Sequence, residues 1–471
     1  MACMAYTHSA AQDQVVTMTT GKAAGETMTI VVNNTAGITV DWGDGQPVAY
    51  QPTGGALMEI TSQVKGSTIT LSAGNGLTTL IVEGQGVTQL NASKAKNLRS
   101  LYCQDNGMEK LTITGLDKLT DLDCSGNSIA SMSMSASAYP AMERINIAGN
   151  GLKRFGSSTT FSLPLTSIKS IDISGNAFPN GSFSSNKNMQ YLNISGNAFT
   201  SLNVNASQKL QTVLAHGNKL KSVTLPSSIG LAELRAFVAD SNAIAKLDLS
   251  KSGKLEHLSV ADNGMETLTL PKRKLTTLSI GGNSLTLAGL PTANYLPEEG
   301  MFSYLPMNDI DISTAMKKDA DGSPYMEVLD AWANRRKADY SIDMSEYRKD
   351  ANGRYTIDLE WVAVAEDGTE TVLTEATSQG KMATAGYTRY QHTYAFIKPM
   401  AKVYGRLSKE TDYPGIVLKT TAFAVRNTAT GIEDIKAAGG KAAIYDLQGR
   451  RVESPSHGGI YIVNGKKVVI K

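Results

Sequence analysis

The chain has 471 residues, with 45 Lys and Arg against 43 Asp and Glu. That near-balance leaves no basic footprint for nucleic acid and no polybasic patch for an anionic membrane, and charged residues at 19% are too sparse for a coiled coil or a charge-rich disordered chain. No apolar run reaches the roughly 18 residues of a membrane-spanning helix, and three cysteines (Cys3, Cys103, Cys124) exclude a disulfide scaffold and a four-cysteine zinc site. Forty-three glycines, with abundant Ser, Thr and Asn, predict a mostly β, loop-rich chain, and at roughly 150 residues per domain the length suggests about three domains. Residues 1–11 end in the small residues Ser9, Ala10 and Ala11, and are read as the tail of a secretory leader.

Residues 12–76 form the first β module, with strand-like runs VVTMTT, ETMTIVVNN, GITVDWGDG and STITLSA. In DWGDG, Gly43 and Gly45 supply the positive φ of a turn, while Asp41 and Asp44 offer two carboxylates to a cation. An EF-hand needs a longer series of oxygens and a distal Glu, so no metal is expected. The element resembles a turn of immunoglobulin-like modules of the polycystic-kidney-disease type and of amino-terminal domains in bacterial surface repeat proteins. The module is expected to cover the open edge of the array that follows.

Residues 77–290 repeat. NLRSLYCQDNGMEKLTIT (97–114) aligns with KLTDLDCSGNSIASMSMS (118–135), both following L-x-x-L-x-C-x-x-N with further apolar positions after the Asn. The frame asparagines are Asn106, Asn127, Asn150, Asn176, Asn197, Asn218, Asn242, Asn263 and Asn283, and a degenerate opening copy carries Gln85 instead. This pattern resembles the leucine-rich repeat family, in particular its short, internalin-like bacterial type. The resemblance implies a solenoid of about ten coils flanked by β-sandwich-like domains. Stacked at about 4.8 Å per coil, each coil buries an apolar face that it cannot bury alone. The asparagines are expected to form a structural ladder, their amides bonding backbone groups of adjacent coils. Cys103 and Cys124 share one frame position and are expected as small buried hydrophobes. The insertions AYPAMER, SSTTFSLPL and PSSIGLAEL before Asn150, Asn176 and Asn242 are expected as longer outer bulges.

Period-2 alternation lets the outward side chains of each strand be assigned in advance. The candidate ligand-binding residues on this sheet face are Tyr102, Asp121, Asp123, Arg144, Asn146, Asp172, Tyr191, Asn193, Leu214, His216, Val238 and His257. The first coils give a small, polar stripe, and Leu214 and Val238 turn it apolar. Tyr102, Tyr191, His216 and His257 are best suited to anchor a partner.

Residues 300–427 alternate apolar and polar in GRYTIDLEWVAVAEDGTETVLTEA and TYAFIKPMAKVYGRLS, with a hairpin signal at Asp367-Gly368 and Trp361 as the expected core aromatic. The pattern resembles the immunoglobulin-like domain that follows leucine-rich repeats in bacterial surface proteins. Residues 431–471 carry Tyr445-Asp446-Leu447, Gly449-Arg450-Arg451, Gly459-Ile460-Tyr461 and Gly465-Lys466-Lys467. They resemble the carboxy-terminal sorting domain of the Bacteroidetes type nine secretion system, which implies export.

Three functions follow in order of expectation. The first is a non-enzymatic secreted or cell-surface protein, monomeric and without cofactor, that binds a host or extracellular-matrix protein or a glycan through its sheet face. The second is a structural spacer of the envelope without a specific ligand. The third is a hydrolase acting on surface glycans or peptides. It is disfavoured because His216 and His257 stand two coils apart with no frame nucleophile between them, Asp121 and Asp123 are expected exposed and outside any pocket, and neither H-E-x-x-H nor G-x-S-x-G occurs.

Overall fold

A computed structural model describes residues 14–290 apart from 36, 52–54, 74–75 and 227–229, the strand at 302–303, residues 308–427 apart from 338–339, 351, 412 and 414–415, and four strands between 444 and 470. The chain divides into two compact units, Met1–Asn308 and Asp309–Lys471. The expected leader with Cys3, together with Asp446, Leu447, Gly449, Arg450 and Gly465, lies outside the described residues.

In the first unit every coil contributes a short strand to one parallel sheet. Leu77–Ile81 is followed by nine further strands, from Ser100–Tyr102 to Thr277–Ser279, so ten strands enclose nine turns of a β-solenoid. The central residues Leu80, Leu101, Leu122, Ile145, Ile171, Leu192, Val213, Phe237, Leu258 and Leu278 stand opposite one another without a slip. All are buried. A one-residue shift would turn this whole row to solvent, so the leucine frame itself fixes the register. Elsewhere in the coils, Thr160–Ser162 pairs with Asn180–Ser182, Ser201–Asn203 with Ser222–Thr224, and Lys246–Asp248 with Thr267–Thr269, all parallel.

The insertion at 157–165 differs from expectation. Its Thr160–Ser162 is a paired strand with Phe161 fully buried, so part of the extra length serves the core instead of bulging outward. Phe161 stacks edge-on with Phe178 at 5.7 Å and lies 4.8 Å from Phe155. Gly181 makes room for this cluster, because a Cβ there would stand 2.8 Å from Phe199 and 2.9 Å from Phe183. In AYPAMER, Tyr139 folds inward and its hydroxyl donates to the Ile113 carbonyl at 3.1 Å.

The asparagines join the coils. The Asn127 amide donates to the carbonyls of Cys103 in the preceding coil (3.0 Å) and of Cys124 and Ser125 in its own (2.9 and 3.1 Å), while its oxygen accepts the backbone N–H of Asn106 (3.2 Å) and Met108 (2.8 Å). Asn106, Asn150, Asn176, Asn197, Asn218, Asn242, Asn263 and Asn283 each donate likewise to three carbonyls, one in the preceding coil. Gln85, in the opening copy, instead reaches sideways. Its Oε1 accepts the Thr29 N–H at 2.8 Å, and the added methylene lets it meet an antiparallel strand where no earlier coil exists.

Strand pairing runs on across residue 76. Thr27–Asn34 pairs antiparallel with Leu77–Ile81 and with Met58–Gln63, extending the coil sheet. Gln14–Thr20 pairs antiparallel with Val87–Asn91, which itself pairs parallel with Lys110–Thr112. Amino-terminal strands thus cover both edges that the first coil would otherwise leave unpaired. In DWGDG, Asp41 Oδ1 accepts the N–H groups of Gly43, Asp44 and Gly45, and Asp44 pairs with Lys65 at 2.6 Å. That lysine bond, first among the causes, holds the Asp44 carboxyl below its usual range. Gly43 adopts φ +105°, and a Cβ there would lie 2.5 Å from the Gly66 nitrogen, so only glycine fits.

Cys103 and Cys124 are free thiols, both fully buried. Burial pushes both thiols well up, so the nucleophilic thiolate is suppressed in the folded state. Iodoacetamide is expected to leave both unmodified in the native protein and to alkylate both in 6 M guanidinium. Rapid native labelling, read by mass spectrometry of the tryptic peptides, would contradict the dry interior.

In the second unit Asp358–Val364 pairs antiparallel with Met400–Ser408 and with Glu370–Val372, turning at Gly368 (φ +85°). A three-stranded sheet of Ser341–Asp343, Thr393–Phe396 and Tyr387–Tyr390 supplies Tyr394 and Phe396 to the core. Trp361 meets Tyr394, Phe396 and Phe423 edge-on at 5.6, 5.1 and 5.8 Å. Farther on, Ile444–Tyr445, Arg451–Val452, Gly459–Val463 and Lys466–Ile470 make a four-stranded antiparallel sheet.

Candidate functional site

Because every coil strand turns its first and third residues away from the interior, the solenoid face carries two parallel rows about 4.8 Å apart from coil to coil. The first row includes Asp121, Arg144, Tyr191 and His257, and the second Tyr102, Asp123, Asn146, Asp172, Asn193, Leu214 and Val238. Five consecutive coils bring Tyr102, Asp121, Asp123, Arg144, Asn146, Ser170, Asp172 and Tyr191 around one depression of about 250 Å³. The two tyrosines stand four strands apart, roughly 19 Å along the array.

Asp121 is neither exposed nor outside a pocket, contrary to the sequence expectation. Its residue exposure is 7%, because Arg144 from the next coil folds back over it and bonds Oδ1 through Nε, while the Thr120 hydroxyl donates to Oδ2 at 2.7 Å. The bond to Asp121 raises the Arg144 pKa further, and the guanidinium also lies 3.9 Å from Glu143, which pairs with Lys169 at 2.7 Å. Asp123 also belongs to the depression, half-buried. The Arg144 side chain remains 57% exposed, so one face of a fixed guanidinium is open to a partner.

The second row is bonded within itself. Asp123 accepts the Ser125 N–H and hydroxyl at 3.0 and 2.6 Å and the Asn146 amide at 2.9 Å. Two coils on, Asp172 accepts the same groups of Ser174 at 3.0 and 2.7 Å and the Asn193 amide at 2.9 Å. Asn146 and Asn193 accept the N–H of Ala148 and Ser195 two residues ahead. Each such Asx turn ends its strand, so the stripe serves the fold as well as the surface. Tyr191 donates weakly to Asp172 at 3.5 Å, and burial first, then that carboxylate, raises its pKa.

Leu214 and Val238 lie half-buried beside the exposed His216, beyond the depression. His257 Nδ1 stands 2.9 Å from Thr277 Oγ1, a pair the sequence reading missed although the two residues face each other in register. Their spacing of one repeat was the available signal. Sequence reasoning also left Ser170 out of the site, which the same column position placed between Arg144 and Tyr191. Among the described residues no group of three His, Cys, Asp or Glu side chains converges on a metal-sized position, and no helix is long and apolar enough to cross a membrane.

The in-register strands, the apolar frame and the interior asparagines define a leucine-rich-repeat-like β-solenoid, mostly β and, among the described residues, nearly without helix. No family profile and no curated protein matches the chain. Among solved structures it is similar to the functional domain of InlJ from Listeria monocytogenes, which includes a cysteine ladder, with 16% identity, 77% of this chain and 93% of that one covered, and a TM-score of 0.33. It is also similar to YopM from Yersinia enterocolitica, with 20% identity and a TM-score of 0.35, covering 45% of this chain and 49% of that one.

Proposed function

We propose that the protein is a non-enzymatic binding protein, secreted or held at the cell surface, that grips a host or extracellular-matrix protein or a glycan on the sheet face of its repeats. The observation that carries this reading is the depression between Tyr102 and Tyr191, with the open face of Arg144 at its centre. Aromatic and arginine side chains give large contact area at low entropic cost, and Asp121 holds the guanidinium in place before a partner arrives. In this reading Leu214, His216, Val238 and His257 extend the contact with an apolar section, residues 12–76 cap the array, and residues 300–427 are an immunoglobulin-like spacer. The leader-like residues 1–11 and the sorting-like residues 431–471 support export, and the protein acts as a monomer without cofactor.

The test uses the full chain on arrayed matrix proteins and glycans. Tyr102→Ala combined with Tyr191→Ala is expected to reduce retained binding at least tenfold while the thermal midpoint moves by less than about 2 °C, since both side chains are only half-buried. Unchanged binding by the double variant would refute the assignment. The internally satisfied stripe of Asp123, Asn146, Asp172 and Asn193 favours a second reading, an envelope spacer without a ligand. A wild-type chain that binds nothing on either array would support it.

A further inference from the structure

The second unit carries a separate cluster of cationic and aromatic side chains at the tip of the Tyr387–Tyr390 and Thr393–Phe396 hairpin. The Arg335 guanidinium lies 4.4 Å from the Trp332 ring centre and 5.9 Å from that of Tyr390, and Arg336 lies 4.6 Å from Tyr390. Among the described residues neither arginine meets a carboxylate. Arg335 donates to the Trp332 carbonyl at 2.9 Å, and the Asp330 carboxylate is bonded to the Asn334 amide at 2.7 Å. By contrast, Arg389 pairs with Glu375 and Lys349 with Glu346. The tip is also held in a costly conformation, because Gln391 adopts φ +55°, a region that favours glycine. Tyr390 is 37% exposed beside it.

Each guanidinium sits against an aromatic ring, and apart from the Arg335 bond to the Trp332 carbonyl neither has a hydrogen-bond acceptor among the described residues, which leaves donors for a carboxylate. Trp, Tyr and Arg are the residues that dominate protein–protein contacts. Residues 309–427 as a whole are near neutral, with 18 acidic against 16 basic residues, so the positive charge is local to the tip and suits a short acidic segment. We propose that Trp332, Arg335, Arg336 and Tyr390 form a second docking surface, which takes an acidic segment of a partner protein with its carboxylates on the two guanidiniums.

The experiment measures fluorescence anisotropy of a labelled ten-glutamate peptide with the full chain in low salt. Arg335→Ala with Arg336→Ala is expected to weaken binding at least tenfold. Arg336→Gln alone, at an exposed position where folding is not at stake, is expected to weaken it severalfold. Arg335→Lys with Arg336→Lys keeps the charge but loses the planar fork, and is also expected to bind more weakly than the wild type. Tyr102→Ala with Tyr191→Ala should bind the peptide like the wild type, which separates this surface from the solenoid face. Wild-type affinity in both arginine-deleting variants, equal binding of a ten-lysine peptide, or tighter binding of dextran sulfate than of the glutamate peptide would each overturn the proposal.

Discussion

Replacing Asn127 with Ala is expected to lower the unfolding free energy of the repeat unit by about 3–5 kcal/mol, because two buried N–H groups lose their acceptor together. The carbonyls that Asn127 serves are partly insured. Cys103 O also accepts from Asn106, and Cys124 O also accepts from Asn150. The N–H groups of Asn106 and Met108 have no such second partner among the ladder bonds, and methyl substitution leaves them facing a dry interior. Half-buried Asn197 holds one N–H, that of Phe178, and its replacement is expected to cost less, about 1–3 kcal/mol. Urea titration with far-ultraviolet circular dichroism measures both, and a loss below about 1 kcal/mol at Asn127 would contradict the account.

Asn127→Asp sharpens the same argument. The new carboxyl would sit against the Cys103, Cys124 and Ser125 carbonyls, so both burial and those oxygens disfavour its charged form and its folded pKa rises above the unfolded value near 3.9. The charge-related part of the penalty is therefore absent below the unfolded pKa and grows as pH climbs from there through the folded pKa. The stability difference from wild type is expected to be larger at pH 7 than at pH 3.5. A difference independent of pH would mean that the side chain escapes to solvent.

Trp361→Ala is expected to destabilise the second unit by about 3–5 kcal/mol, the range for deleting a large buried aromatic. The side chain is fully buried, and the three aromatic rings edge-on to it come from two strands, Tyr394 and Phe396 from Thr393–Phe396 and Phe423 from Phe423–Arg426. Collapse into the vacated volume would have to move those strands together, and Phe396 and Phe423 already contact each other at 5.4 Å. Scanning calorimetry of the full chain should show the transition of this unit falling by several degrees while that of the repeat unit stays in place. A shift of both transitions alike, or of neither, would contradict the placement of Trp361 at the centre of its own core.

Much of the solenoid was legible because one repeat carries its own register. Leu101, Leu122 and Ile145 recur at the same frame position, and an in-register parallel sheet is the arrangement that buries them all. The ladder was legible for the same reason, since an Asn at a fixed offset meets the same backbone groups in every coil. Outward side chains were placed by parity, but their contacts were not. Whether Arg144 reaches into solvent or folds over Asp121 depends on rotamers and on a charge in the neighbouring coil. The pairing of Thr27–Asn34 with Leu77–Ile81 escaped the sequence because antiparallel partners nearly fifty residues apart leave no periodic trace. Phe161 could have flagged its insertion as core-forming, as an aromatic between hydroxyl residues that repeats the alternation of a strand.

Amide hydrogen exchange of the full chain, with and without the ligand retained on the arrays, tests the binding face most directly. Added protection is expected to concentrate in the strands at 100–102, 121–123, 144–146, 170–172 and 191–193 and in the turns that follow them. Protection confined to the opposite strands at 160–162, 180–182, 201–203 and 222–224, or to the second unit alone, would contradict it.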